Sequence, residues 1–175
     1  DVYNSPDIIQ GDDSYRKTPH VITACLGGDI KTLESVLRAG GGIQEKGFIC
    51  FSKKKKNLVI SNVIGAAAHA GKTKLLEHLL QKLSSQAANF EASEEQDRTT
   101  AKDTKFVNEM VKYTPLMLAV AKGDENLDCV KLLLKFKVDY SKRDAFDNSI
   151  LHIAAMNGNN KIINYIAKNL KIDIF

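Results

Sequence analysis

The sequence predicts an all-α fold, a solenoid of about four helix–turn–helix repeats with β-hairpin-like fingers, two of them lengthened by insertions. Three observations carry this reading. Four segments share one pattern: VITACLGGDIKTLESVL from Val21, IGAAAHAGKTKLLEHLL from Ile64, LMLAVAKGDENLDCVKLLL from Leu116 and LHIAAMNGNNKIINYIA from Leu151. Each runs from a short apolar stretch holding small residues, through a glycine, into a second apolar-periodic stretch. The glycines Gly28, Gly71, Gly123 and Gly158 stand 43, 52 and 35 residues apart. A unit of about 33 residues then leaves insertions of about 10, 19 and 2. Finally, helices this short are unstable alone and must bury their faces against the next unit, as in a solenoid.

The elements follow in order. In the first unit, with its core at 15–42, Ala24 is the small residue that lets neighbouring helices approach, and Cys25 lies within the apolar pattern. The insertion at 43–56 comes next. Phe48, Ile49 and Phe51 precede Lys53, Lys54, Lys55 and Lys56, and Leu58, Val59 and Ile60 follow, which predicts an extended hairpin with a basic tip. The second unit spans 57–83, with Ala67 and Ala68 in its first helix. The insertion at 84–108 is polar, with five acids against Arg98 and Lys102 between Glu91 and Asp103; such a composition reads as a mobile loop. The third unit, 109–140, places Ala119 at the close approach and Cys129 in its second helix. In the fourth, 144–175, Leu151, Ile153, Ala154 and Ala155 form the first helix, and Gly158 suits the left-handed turn that ends it. Ile162, Ile163 and Ile166 then recur on one face of the second. The whole of 1–175 reads as a single domain.

Composition bounds the function. The chain is 43% hydrophobic and 26% charged, near the average for soluble globular proteins, which excludes disorder as a description of the whole. The apolar stretch 58–70 is broken by Ser61, Asn62 and His69 and is too short to span a bilayer. No charged start followed by an apolar core reads as a signal peptide. Three cysteines, with no Cys-x-x-Cys pair, argue against a disulfide framework and for a reducing, intracellular and cytoplasmic setting. The chain opens on Asp1 rather than Met and reads as a piece of a longer protein.

The units resemble ankyrin repeats. The strongest match is Tyr113-Thr114-Pro115-Leu116-Met117-Leu118-Ala119, close to the Thr-Pro-Leu-His-x-Ala signature of that family. Ser149-Ile150-Leu151-His152-Ile153-Ala154-Ala155, followed by Asn157-Gly158, comes next. Lys137-Val138-Asp139-Tyr140 stands where the family has Gly-Ala-Asp-Val, and Asp144 matches the Asp that opens the following finger. Asn62-Val63 replaces Thr-Pro in the second unit, and the chain closes on Ile172-Asp173-Ile174-Phe175, which resembles the opening of another finger. Further repeats or another domain are expected to follow.

The resemblance implies a non-catalytic module that binds a protein or peptide partner on its first-helix surface and fingers. Its contact positions carry over to Leu26, His69, Lys122, Met156 and Asn157 on the first helices. In the fingers they carry over to Tyr15, Arg16, Met110, Tyr113, Ala145, Phe146 and Asn148. Core packing is the competing reading for the apolar members, most strongly for Leu26 and Met110. Phe146 is the hot-spot candidate, because a finger tip offers a large ring little core of its own. The family also implies that His152 ties neighbouring backbone segments together. A monomer is expected.

Two other chemistries compete with this reading. Five lysines against Glu45 within 43–62 equal the net charge of the whole chain, +4. The run Lys53, Lys54, Lys55 and Lys56 is either a solvated tip or an electrostatic contact for an anionic partner, whether phosphate, lipid surface or nucleic acid. Nucleic acid is disfavoured, since a broad basic patch with stacking aromatics is missing. Residues 66–73, Ala-Ala-Ala-His-Ala-Gly-Lys-Thr, fit a degenerate phosphate-loop pattern. Alanines favour helix there, however, and the repeat phase puts Gly71 at a turn between helices. No metal, cofactor or catalytic set is predicted: His69 and His78 fall on different helices, and no Cys/His cluster has zinc spacing.

Overall fold

The structure, a computed structural model, describes residues 18–52, 57–92 and 112–172. It is mostly helical. Helix α1 spans His20–Gly27, α2 Ile30–Arg38, α3 Val63–His69, α4 Thr73–Lys82, α5 Ser85–Ala88, α6 Pro115–Lys122, α7 Leu127–Lys135, α8 Ile150–Met156 and α9 Asn160–Asn169. Strands β1 (Gly47–Ser52) and β2 (Asn57–Ser61) form a two-stranded antiparallel sheet.

Side-chain capping fixes where the helices start. Asn62 accepts from Gly65 N at 3.0 Å ahead of α3, and Thr114 accepts from Met117 N at 3.3 Å ahead of α6, where Pro115 supplies a preset first turn. Asp29 accepts from the Thr32 amide at 2.9 Å and its hydroxyl at 3.0 Å ahead of α2. These two bonds hold the exposed carboxyl below its usual range. Glycine ends the first helices for two reasons. Gly158 adopts a left-handed φ of 68°, which costs an L side chain energy. Gly28 is extended instead, and there a Cβ would lie 2.7 Å from Ala24 O.

The packing makes two layers. The first helices meet in the order α1, α3, α6, α8, the second helices in the order α2, α4, α7, α9, and each first helix packs on the second helix that follows it. Leu33 in α2, Leu76 in α4, Val130 in α7 and Ile162 in α9 are fully buried on the inner faces, and one continuous apolar cluster runs through all four pairs. Across such a core the apolar area removed from water contributes roughly 25 cal/mol per Å².

The hairpin stands between α2 and α3. Its register pairs Gly47 with Ser61, Ile49 with Val59 and Ser52 with Asn57, with a bulge between Cys50 and Ser52. Ile49 and Val59 are both fully buried, so the paired positions share the inward face. Close approach accounts for Gly47, where a Cβ would meet Pro19 Cδ at 2.9 Å. The four lysines expected at the tip lie outside the described residues.

The second insertion differs from the expectation of a mobile loop over its described part, 84–92. Ser84 caps α5, Asn62 Nδ2 donates to Ala87 O at 2.8 Å, and the Lys46 ammonium lies 4.6 Å from the Phe90 ring centre. Asn89 Oδ1 accepts from Asp139 N at 2.7 Å, Lys142 Nζ reaches Glu91 Oε1 at 3.3 Å, and Ala92 exchanges backbone bonds with Tyr113 and Lys112 at 2.8 Å. Polar composition suggested a solvated segment, yet Asn89 and Glu91 reach across to the loop that follows α7. Buried Ala88 and Ala92 supply the anchorage.

Candidate functional site

The clearest exposed feature is the loop between α7 and α8. After Val138 the backbone turns through Asp139, whose Oδ1 accepts from Ser141 N at 2.9 Å and Ser141 Oγ at 2.6 Å. These bonds hold its carboxyl below the usual range. The loop tip is organised by Asp144, which is buried. Asp144 Oδ1 accepts from Phe146 N at 2.9 Å and Asn148 N at 2.8 Å, and Asp144 Oδ2 accepts from Asn148 Nδ2 at 3.0 Å. Asp144 N donates to Asn148 O at 3.1 Å, and Asp147 takes a left-handed φ of 64°. One buried carboxylate thus satisfies three donors and fixes the tip. On it, Phe146 is 50% exposed beside exposed Ala145 and half-buried Asn148.

The remaining predicted contact residues divide sharply. Tyr15, Arg16, Met110 and Lys53, Lys54, Lys55 and Lys56 lie outside the described residues. Leu26 at 3%, His69 at 1% and Tyr113 at 4% are buried, so as packed they offer no surface to a partner. Leu26 and His69 both stand two residues before the turn glycine, on first helices that pack against the next first helix. Lys122 is half-buried at the end of α6, and Asn157 is exposed with its Nδ2 donating to Ile153 O at 2.8 Å. Met156 is 64% exposed, although it occupies the position of Leu26 and His69.

His152 corrects a further expectation. Its Nδ1 accepts from Ser149 N at 3.2 Å and lies 2.7 Å from Ser149 Oγ, while His152 N donates to Ser149 Oγ at 3.3 Å. The ring therefore closes a capping box on its own helix and stays exposed. It does not bridge separate segments.

That bridging is done by residues the sequence reading missed. Asn126 Nδ2 donates to Ala68 O at 2.9 Å and His69 O at 3.2 Å, and Asn159 Nδ2 donates to Val120 O at 2.8 Å. Asp124 accepts from Lys161 N and Ile162 N, both at 3.1 Å, at the start of α9. The available signal was an Asn shortly after each of two turn glycines. In the third unit a 3₁₀ turn, Asp124–Asn126, accounts for the two extra residues and restores the Asn to its place.

The phosphate-loop pattern is spent on helix packing. All seven residues of α3 are buried. The amides of Gly71, Lys72 and Thr73 donate to Ala68, Ala67 and Gly71 carbonyls at 3.3, 3.0 and 3.1 Å, so none faces a phosphate. Thr73 Oγ1 lies 3.6 Å from Cys129 Sγ. Burial pushes the Cys25 thiol up to about 12 and raises that of Cys129 as well. Among the described residues no cluster of three or more His, Cys, Asp or Glu could hold a metal ion, and no helix is long and apolar enough to cross a membrane.

A family model described as ankyrin repeats, in three copies, matches residues 63–175. The nuclear factor NF-kappa-B p105 subunit of Rattus norvegicus is 45% identical over 58 residues, which make up 33% of this chain and 6% of that relative. The chain thus spans only a small part of the length of the curated relative it matches. Layered helix pairs, turn glycines, capped first helices and a family match over more than half of the sequence lead to one statement: the chain belongs to the ankyrin-repeat family.

Proposed function

We propose that this chain is a non-catalytic protein–protein interaction module. It is read as one domain over 1–175, with four repeats at about 15–42, 57–83, 109–140 and 144–175 and finger insertions at 43–56 and 84–108. Ankyrin repeats generally serve as protein-interaction modules, and the partner here is a protein or peptide. The observation that carries the placement is Phe146, a large ring half in water on a turn immobilised by Asp144. A rigid apolar anchor costs little conformational entropy on binding, and such anchors dominate interface energetics. Asn148, Lys122 and Asn157 extend the contact along the finger and first-helix surface. The module acts as a monomer in an intracellular setting that keeps its buried thiols reduced.

Capture from a lysate of the source cells tests this. A protein retained by the wild-type chain should be lost or much reduced with Phe146→Ala, a change of about 2 kcal/mol for a buried hot spot. Melting should fall only slightly, because half of the ring is already in water. Equal capture of every retained protein by both chains would overturn the placement.

A further inference from the structure

An open cleft lies between the first turns of α2 and α4, at the edge of the solenoid away from the hairpin and the Phe146 loop. Its volume is about 440 Å³, and its lining combines the aliphatic side chains of Ile30 and Leu75 with Lys31, Lys72 and Lys74. Lys31 and Lys74 are exposed and Lys72 is half-buried, and none of the three has an ion pair among the described residues. The one carboxylate in the lining, Asp29, is already spent on the Thr32 amide and hydroxyl at 2.9 and 3.0 Å. An apolar cleft with an excess of two positive charges is left.

The same sign extends over the layer that holds it. Helices α2, α4, α7 and α9 carry eight Lys and Arg against three Asp and Glu, whereas the first helices carry no Lys, Arg, Asp or Glu except Lys122. Such a field draws acidic groups toward this layer and away from basic or neutral competitors.

The α7–α9 boundary shows a carboxylate seated at the equivalent place. Asn159 and Lys72, which precede α9 and α4, share a φ of −84° and have ψ of 73° and 71°, and neither caps its helix with its own side chain. Ahead of α9, Asp124 from the preceding turn accepts from Lys161 N and Ile162 N, both at 3.1 Å. The counterparts on α4 are Lys74 N and Leu75 N, which no carboxylate reaches among the described residues. Asp29, the counterpart of Asp124, turns to its own helix instead.

We propose that the α2–α4 cleft docks an acidic segment of a protein partner. One carboxylate of that segment lies among the three ammonium groups and before the amides of Lys74 and Leu75, and a neighbouring aliphatic side chain covers Ile30 and Leu75. A free phosphate would satisfy the charge and leave the aliphatic lining in water, so a carboxylate carried beside apolar groups fits both parts of the cleft. The site is on the opposite edge from Phe146, and the two stand or fall separately.

The probe is the peptide acetyl-Glu-Leu-Asp-Leu-Glu-amide, titrated into the isotope-labelled full chain. The amide resonances of Lys74 and Leu75 should move saturably, while those of Ala145 and Phe146 stay in place. The matched Gln-Leu-Asn-Leu-Gln peptide should move none of them. Lys31→Gln combined with Lys74→Gln should weaken binding roughly tenfold, as expected for the loss of two exposed charge contacts. Both lysines are exposed, so the double variant should melt nearly as the wild type does. The proposal is overturned by an acidic peptide that produces no saturable movement, by equal binding of the neutral peptide, or by unchanged affinity in the double variant. Inorganic phosphate that binds as tightly would reduce the cleft to a plain anion site, and movement centred on Ala145 and Phe146 would put the peptide on the finger; either result also overturns it. Equal lysate capture by the Phe146→Ala chain would leave all of these outcomes untouched.

Discussion

Truncating Asn126 to Ala removes the polar tie between the second and third helix pairs. The side chain is 4% exposed, and its one amide group serves both Ala68 O and His69 O. A neutral hydrogen bond contributes about 1 kcal/mol net, and a buried group left without a partner costs about 1–3 kcal/mol. Ala68 O keeps the Gly71 amide at 3.3 Å, which limits the penalty there. The expected loss is about 2–3 kcal/mol. For a chain of this size each kcal/mol lowers Tm by about 2–4 °C, which gives a fall of roughly 5–10 °C. The position lies at a boundary, so the coupling between neighbouring units weakens together with the stability. Urea unfolding followed by far-ultraviolet circular dichroism should therefore show a lower midpoint and a shallower transition. Asn126→Asp, which keeps the shape but loses the donor, should do at least as much damage. An unchanged midpoint, or an Asp variant that behaves like wild type, would refute the assignment of stability to the amide bonds.

Other outcomes follow from the same geometry. His152→Ala should cost about 1 kcal/mol as loss of one partner in a helix cap; combined with Ser149→Ala the losses should be less than additive, since both belong to one box. Additive losses would break that link. Asp29 has a folded value below its ordinary 3.8, so its contribution is complete above that value and is lost as pH falls through the lower folded one. Asp29→Asn keeps a capping group and should flatten the acid limb of the stability profile while leaving neutral stability nearly intact; an unaltered limb would count against the cap. Cys25, pushed up to about 12 by burial, and Cys129 should resist maleimide in the native protein and label on unfolding, with mass spectrometry locating the adducts. Rapid native labelling of either would contradict their burial.

The sequence by itself determined the repeat phase and the composition of each layer. Small residues before a glycine and apolar residues at helical spacing after it state a local rule, and α3, α4, α8 and α9 follow it directly. It also placed the two strands, because short apolar runs flank a run of lysines, and it marked Phe146 as a ring with little core of its own. What it could not determine is which positions the next layer covers. Leu26, His69 and Met156 are equivalent in the sequence, yet two are buried and one is exposed. Burial at this position depends on long-range packing between helix pairs, which no local pattern encodes. The same holds for the polar residues. Asn126 and Asn159 read as ordinary turn residues until stacking brings carbonyls and carboxamides within 3.2 Å. Hydrogen bonds of that kind become valuable only once water is excluded, so tertiary packing, not composition, decided which polar groups hold the solenoid together.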